Sequence, residues 1–355
     1  MIRLLVCGGA GFIGTNFVYY MLAKYPSIEL VVYDKLTYAG NLENLAALAP
    51  DARYHFVQGD IIDLKHVRKV ITDHNISHII NFAAETHVDR SIHGNVQEFV
   101  LTNTLGVQIL LEAVRLHDIE KFINVSTDEV YGSLQLDDEH KFTEDSPIQP
   151  NTPYAAAKAG GDIMCRAYWT TYRVPVIVTH CSNNYGPYQF PEKLIPFFIT
   201  KILKGEKVPV YGDGQNVRDW IHVHDHVTAL DLLLQRGQPG SVYTIGADNE
   251  RSNLEITIKL LALFNLGVER IEYVTDRPGH DRRYALDATR LMSLGWQPDY
   301  PRERFGQGLQ QTIAWYRTHS DWLEHIWQRN TDELNSFQTQ LAHSDEKMKP
   351  TEQSS

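Results

Sequence analysis

At 355 residues the chain has room for one large α/β unit and a smaller partner, each with its own core. Its 33 Lys and Arg against 44 Asp and Glu give a formal charge of -11, which excludes general attraction to nucleic acid or anionic lipid; an anionic ligand must be met by a local cation cluster. The apolar run at residues 1–7 meets glycine too early for a signal-peptide core and no later stretch suits a membrane span, so a soluble, cytoplasmic protein is expected.

Short β-branched runs occur at residues 4–6, 30–33, 55–58, 78–81, 122–126 and 176–180, with helical patterns between most of them. Parallel strands need crossovers, and each crossover helix must cover the sheet, so this rhythm predicts an α/β fold built on a doubly wound parallel sheet. Directly after the first run comes Gly8-Gly9-Ala10-Gly11-Phe12-Ile13-Gly14, which satisfies GxGxxG at 9, 11 and 14 and GxxGxxG at 8, 11 and 14. Glycines there permit a tight turn and close approach to a pyrophosphate at the N-terminus of the next helix. Asp34 follows the second run, 20 residues after Gly14, where a carboxylate accepts from ribose hydroxyls and repels a 2′-phosphate. A Rossmann domain that binds NAD rather than NADP is expected. Asp60-Ile61 and Phe82-Ala83-Ala84 close the third and fourth runs, where such a sheet opens its ligand crevice.

The fifth run ends in Ser126-Thr127-Asp128-Glu129-Val130-Tyr131-Gly132, two adjacent acids at the carboxyl edge of the sheet. Tyr154 and Lys158 stand four apart at the start of a helical pattern and share one face. A nearby ammonium and the positive nicotinamide ring both favour the phenolate that a base at neutral pH requires, so Lys158 with the bound cofactor is expected to lower the pKa of Tyr154. Apolar helices around 106–117 and 154–172 suit either core or a subunit interface. After Ser182 the rhythm changes to turns and short helices, and residues 241–245 read as a strand returning to the main sheet. The expected division is residues 1–182 plus about 223–246 for the dinucleotide domain, and about 183–222 plus 247–330 for a smaller, discontinuous α/β substrate-binding domain. Residues 331–355 form a polar, frayed tail on this reading. Cys7, Cys165 and Cys181 read as reduced core residues. His222, His224 and His226 alternate as metal ligands on a strand could, but are taken as ordinary strand-and-turn residues, and no metal is expected.

The glycine loop with Tyr154-x-x-x-Lys158 resembles the extended short-chain dehydrogenase/reductase family, and longer blocks resemble its dTDP-glucose 4,6-dehydratase branch from Met1 to about Trp327. These blocks are Asp34-Lys35-Leu36-Thr37-Tyr38-Ala39-Gly40-Asn41, Ala83-Ala84-Glu85-Thr86-His87-Val88-Asp89-Arg90-Ser91, the Ser126 to Gly132 stretch, Cys181-Ser182-Asn183-Asn184-Tyr185-Gly186-Pro187-Tyr188, Phe190-Pro191-Glu192-Lys193-Leu194-Ile195-Pro196 and Asp276-Arg277-Pro278-Gly279-His280-Asp281-Arg282-Arg283-Tyr284. Thr86 stands where many relatives carry Ser, which keeps the hydroxyl.

The resemblance implies a lyase that oxidises the hexose at C4, eliminates water across C5 and C6, and reduces C6. Tyr154, Lys158 and Thr127 would serve the oxidation, Glu129 would remove the C5 proton, and Asp128, protonated while Glu129 is ionised, would protonate the leaving hydroxyl. It implies NAD contacts from Gly8, Gly11, Phe12, Ile13, Gly14, Asp34, Lys35, Leu36, Thr37, Asp60, Ile61, Phe82, Ala83, Ala84, Thr102 and Asn184, besides Tyr154 and Lys158. The nucleotide sugar would meet Thr86, Thr127, Asn183, Lys193, Leu194, Pro209, Val210, Tyr211, Arg218, Asn253, Asp276, Arg277 and His280. Lys193, Arg218, Arg277, Arg282 and Arg283 are candidates for the diphosphate clamp. A homodimer through two apolar helices is the implied assembly. UDP-glucose dehydration, C4 epimerisation, which needs no Asp128–Glu129 pair, and non-catalytic nucleotide sensing stand as alternatives.

Overall fold

The computed structural model describes residues 1–276 and 280–329; the expected polar tail lies outside them. Its twelve strands are β1 Arg3–Cys7, β2 Glu29–Asp34, β3 Tyr54–Gln58, β4 His78–Asn81, β5 Lys121–Thr127, β6 Val176–Cys181, β7 Asn183–Tyr185, β8 Val208–Tyr211, β9 Val217–His222, β10 Val242–Ile245, β11 Glu250–Ser252 and β12 Ile271–Val274. All six β-branched runs of the first half are strands, and residues 241–245 do return to the large sheet, as β10.

That sheet has seven strands in the order β10-β6-β5-β4-β1-β2-β3, every pair parallel. Successive residues of a strand point to opposite faces, and both faces are covered. Leu4, Val6, Leu30 and Val32 enter one core with Phe17 and Leu230. Leu5, Cys7, Val31 and Tyr33 enter the other with Val67 and Leu110. This two-sided burial explains why the strands read as apolar runs rather than as alternating patterns. Strand order reverses at β1, between β2 and β4, and the crevice above this switch point is where an open α/β sheet binds ligands.

A third core gathers Tyr185, Ile195, Phe198, Trp220, Ile256, Phe305 and Tyr316 beside two small sheets, β11-β9-β7 and β12-β8. Its helix Asn253–Leu263 starts with a capping box between Ser252 and Glu255. Ala288, Leu291 and Trp296 instead pack into the core of the large sheet.

Two details differ from the sequence reading. His222 ends β9, but His224 and His226 lie in the helix Val223–Arg236, so the three do not alternate along one strand. The helix expected near residue 106 begins as Val96–Val100 and passes through a π-helical turn, Leu101–Gly106, before Val107–Arg115. Asn103 holds that turn: its side chain accepts from the Glu85 backbone N–H and donates to the Glu85 carbonyl, both at 2.9 Å. The three cysteines are buried and free.

Candidate active site

The helix Phe12–Lys24 starts at Gly11 without a side-chain cap, so its first N–H groups face the crevice. Gly8 has φ +74°, and a Cβ there would run into the backbone of Phe82 and Ala83; one on Gly14 would strike the Gly8 carbonyl. The loop therefore presents bare backbone where a pyrophosphate must come close. Asp34 closes β2 with its carboxylate accepting from the N–H of Ala10 at 2.9 Å and of Leu36 at 2.8 Å. These bonds hold the acid at the crevice against the burial that pushes its pKa up.

Three cavities run end to end along the carboxyl edge. The first, about 90 Å³, is lined by Gly8, Gly11, Asp34, Lys35, Thr37, Asp60, Ile61, Phe82, Ala83, Ala84 and Thr102. The central one, about 280 Å³, shares Gly8, Gly11, Phe82 and Ala84 and adds Phe12, Ile13, Gly14, Thr86, Thr127, Asp128, Glu129, Tyr154, Lys158, Asn183 and Asn184. The third, about 200 Å³, shares Glu129, Asn183 and Lys193 with it and is walled by Leu194, Pro209, Val210, Tyr211, Arg218, Asn253 and His280. The shared residues make one groove, with an extended dinucleotide-sized trough at one end and a cation-bearing pocket at the other.

Several expected residues stand elsewhere. Leu36 lines none of these cavities; its N–H is spent on Asp34 and its side chain packs on the sheet core. Asp276 is not among the residues lining the third cavity; its Oδ1 lies 2.6 Å from Nδ1 of His280, which does line it. Arg283 is a poor clamp, because its guanidinium grips Glu250 and the carbonyls of Asp138 and His140. Arg282 pairs with Asp213 on the surface. Arg277 lies outside the described residues.

The chemical groups meet in the central cavity. Thr127 caps the turn Asp128–Tyr131 by accepting from the Glu129 N–H at 3.3 Å, and its hydroxyl lies 3.3 Å from Asp128 Oδ1. Asp128 is 2% exposed. Burial, and then the neighbouring Glu129 charge, push its carboxyl well above the usual range. Tyr154 hydrogen-bonds Thr127, but burial and Glu129 drive its phenol well above 10. Lys158 donates to the Val125 carbonyl at 2.7 Å, and burial lowers its pKa. The ammonium is thus bonded to the backbone and Glu129 acts on the phenol, while the phenolate is expected from Lys158 together with the nicotinamide ring. Asn184 is pinned from behind, with Oδ1 2.9 Å from His226 Nδ1 and Nδ2 donating to the Ser182 carbonyl at 2.9 Å.

The family model described as GDP-mannose 4,6 dehydratase matches residues 5–312. A dTDP-glucose 4,6-dehydratase of Streptomyces niveus is 49% identical, over 91% of this chain and 95% of the relative. The chain belongs to the dTDP-glucose 4,6-dehydratase family. Among solved structures of this dehydratase family, that from Bacillus anthracis in complex with NAD is 45% identical, with a TM-score of 0.86 over 92% of this chain and 100% of the other. That from Streptomyces venezuelae, with NAD and dTDP bound, is 46% identical, with a TM-score of 0.87 over the same shares.

In this dehydratase-family chain the groove also takes residues that the sequence reading did not single out for a role. His87, Phe197, Trp220 and Tyr284 wall the third cavity, and Glu192 lies at its junction with the central one. His87, Glu192 and Tyr284 sit inside the motif blocks, which was their one signal. Phe197 and Trp220 read only as apolar positions. Among the described residues no cluster of His, Cys, Asp and Glu suits a metal ion.

Proposed function

We propose that this protein is an NAD-dependent lyase that converts dTDP-glucose to dTDP-4-keto-6-deoxyglucose and water. The observation that carries this reading is that Tyr154 and Lys158 line one cavity with Asp128 and Glu129, between the dinucleotide trough and the cation-bearing pocket. An epimerase needs the first pair and has no use for the second.

Bound NAD⁺ supplies the hydride acceptor for C4, the hydride donor for C6 once reduced, and a positive ring beside the Tyr154 phenol. Tyr154 removes the C4 hydroxyl proton while Thr127 hydrogen-bonds the same oxygen. Lys158 orients the nicotinamide ribose. With a ketone at C4 the C5 proton is acidic; Glu129 takes it, and Asp128, held neutral by burial beside Glu129, protonates the departing C6 hydroxyl. Glu129 then returns its proton to C5. Arg218, Lys193 and Asn183 meet the diphosphate, and Leu194 with Pro209 to Tyr211 encloses the base.

The substrate-side unit on this reading comprises residues 183–222 and 247–330 without the 288–296 segment that packs on the large sheet. A homodimer through the helix Pro153–Tyr172 and the helical stretch 96–115 accounts for the exposure of Val100, Leu105 and Ile163. Among the described residues no helix is long and apolar enough to cross a membrane.

Thymine and uracil differ by one methyl, worth about 1–3 kcal/mol in an apolar pocket, so UDP-glucose is the competing substrate. Incubation with each sugar nucleotide and mass analysis tests the assignment. Loss of one water from dTDP-glucose is expected; an isomer of unchanged mass would make the protein an epimerase.

A further inference from the structure

Behind the catalytic groups runs a buried polar network that the proposed chemistry does not use. Its centre is Asp162, 8% exposed, four residues beyond Lys158 and eight beyond Tyr154 on the helix Pro153–Tyr172, so all three share a face. Ser126 Oγ donates to Asp162 Oδ2 at 2.6 Å, and Asn124 Nδ2 donates to Oδ1 at 3.2 Å. His180 Nε2 lies 3.3 Å from Oδ2, and its Nδ1 is 2.5 Å from the Tyr131 hydroxyl. Asn124 accepts in turn from Asn81 on β4, whose Oδ1 receives the Ala83 N–H. Three neighbouring strands and the turn after Glu129 are thereby fastened to one carboxylate.

We propose that Asp162 is a positioning residue for the dehydratase reaction: it supplies the buried negative charge that faces Lys158, and it ties the strand bearing Thr127, Asp128 and Glu129 to the helix bearing Tyr154. The inference rests on the functional reading above. Removing an ammonium from water is costly unless a charge or dipoles compensate. Lys158 has one direct hydrogen bond, to a neutral carbonyl, and Asp162 is the largest influence opposing the effect of burial on it. An apolar residue would fasten helix to sheet at lower desolvation cost, so a purely architectural role does not explain a charge here.

The titratable groups facing this pair are Cys165 on the same helix, His180 and Cys181 on β6, and Tyr131 beyond β5, with Glu144 and Arg290 acting on Tyr131. The test compares the wild-type holoenzyme with Asp162→Asn and Ser126→Ala. In Asp162→Asn the titration midpoint of Lys158, followed by NMR with isotopically labelled lysine, should fall. The rate of C4 oxidation should fall roughly ten-fold at neutral pH with KM little changed. Ser126→Ala keeps the charge and loses the shortest tether, so its rate should fall with the Lys158 midpoint unmoved. An unmoved midpoint in Asp162→Asn, even with slower turnover, overturns the proposal. Should Asp162→Asn not fold, wild-type rates in Ser126→Ala overturn it. The lysine titration needs no turnover, so an enzyme inactive on both sugars would sink the functional reading and leave this one decidable.

Discussion

The Lys158 ammonium donates to the carbonyl of Val125 at 2.7 Å, two residues before Thr127 on the same strand. The bond ties the lysine, and with it the helix that carries Tyr154, to the strand that ends in Thr127. Lys158→Met should lower the rate of C4 oxidation by about 10²–10⁴-fold. Thermal stability should fall, because removing the ammonium leaves the buried Asp162 carboxylate without the charge that faces it. Stopped-flow NADH absorbance and a melting curve check both halves; Tyr154→Phe should block the same step.

Glu129 and Asp128 divide the elimination between them, so they should fail differently from Tyr154. Glu129→Gln leaves the oxidation groups in place and removes the base for C5. Enzyme-bound NADH should accumulate on mixing with dTDP-glucose, with product formation down by at least about 10²-fold. Normal product yield from this variant would remove Glu129 from the role of base.

The pH dependence of stability has a worked sign. Burial lowers His222 and His226 to about 3, so folding keeps them neutral, and their contribution is lost as pH falls from 6.5 toward 3. Burial raises Asp219 and Asp225 to about 6, so the fold takes up their protons, and their contribution is present below 3.8 and lost as pH rises to 6. Between pH 4 and 6 the two pairs oppose each other. Asp225→Asn removes one carboxyl and leaves one histidine uncompensated, so its stability should fall by about 1.4 kcal/mol per unit of acidification relative to wild type. Urea unfolding at pH 6 and pH 5 measures the difference; parallel behaviour of the two proteins would refute the assignment. A uniform loss of about 1 kcal/mol is also expected, since Asp225 accepts from the N–H groups of both Asp299 and Tyr300.

Ile163 is 57% exposed in the middle of a helix whose opposite face is core. If that face meets a second copy, Ile163→Glu should halve the mass in sedimentation without changing far-UV circular dichroism. A wild-type protein already monomeric at micromolar concentration would end the dimer proposal.

The large sheet was legible because its strands are buried on both faces and announce themselves as apolar runs, and the glycine loop because close backbone approach tolerates little else. Asp128 and Glu129 were legible as adjacent acids placed where a strand ends. What could not be read was direction. Leu36 and Asp276 sit in the matching blocks but are not among the residues lining the three cavities, and the bonds they make, to Asp34 and His280, could not be read from the sequence. Arg283 looked like a free cation until Glu250, on a strand that antiparallel pairing brings close, claimed it.

The placement of β10 has a consequence for how the chain acquires its shape. Its partner β6 ends at Cys181, and the intervening segment, through β7, β8 and β9, supplies only part of the other core, which Ile256, Phe305 and Tyr316 complete after the chain has returned. During synthesis the nascent sheet therefore carries an unpaired β6 edge until residue 245 has emerged, and such edges invite pairing with other chains. The two cores must assemble interleaved rather than one after the other, so a truncation near residue 182 should yield an aggregating fragment and not a smaller folded protein.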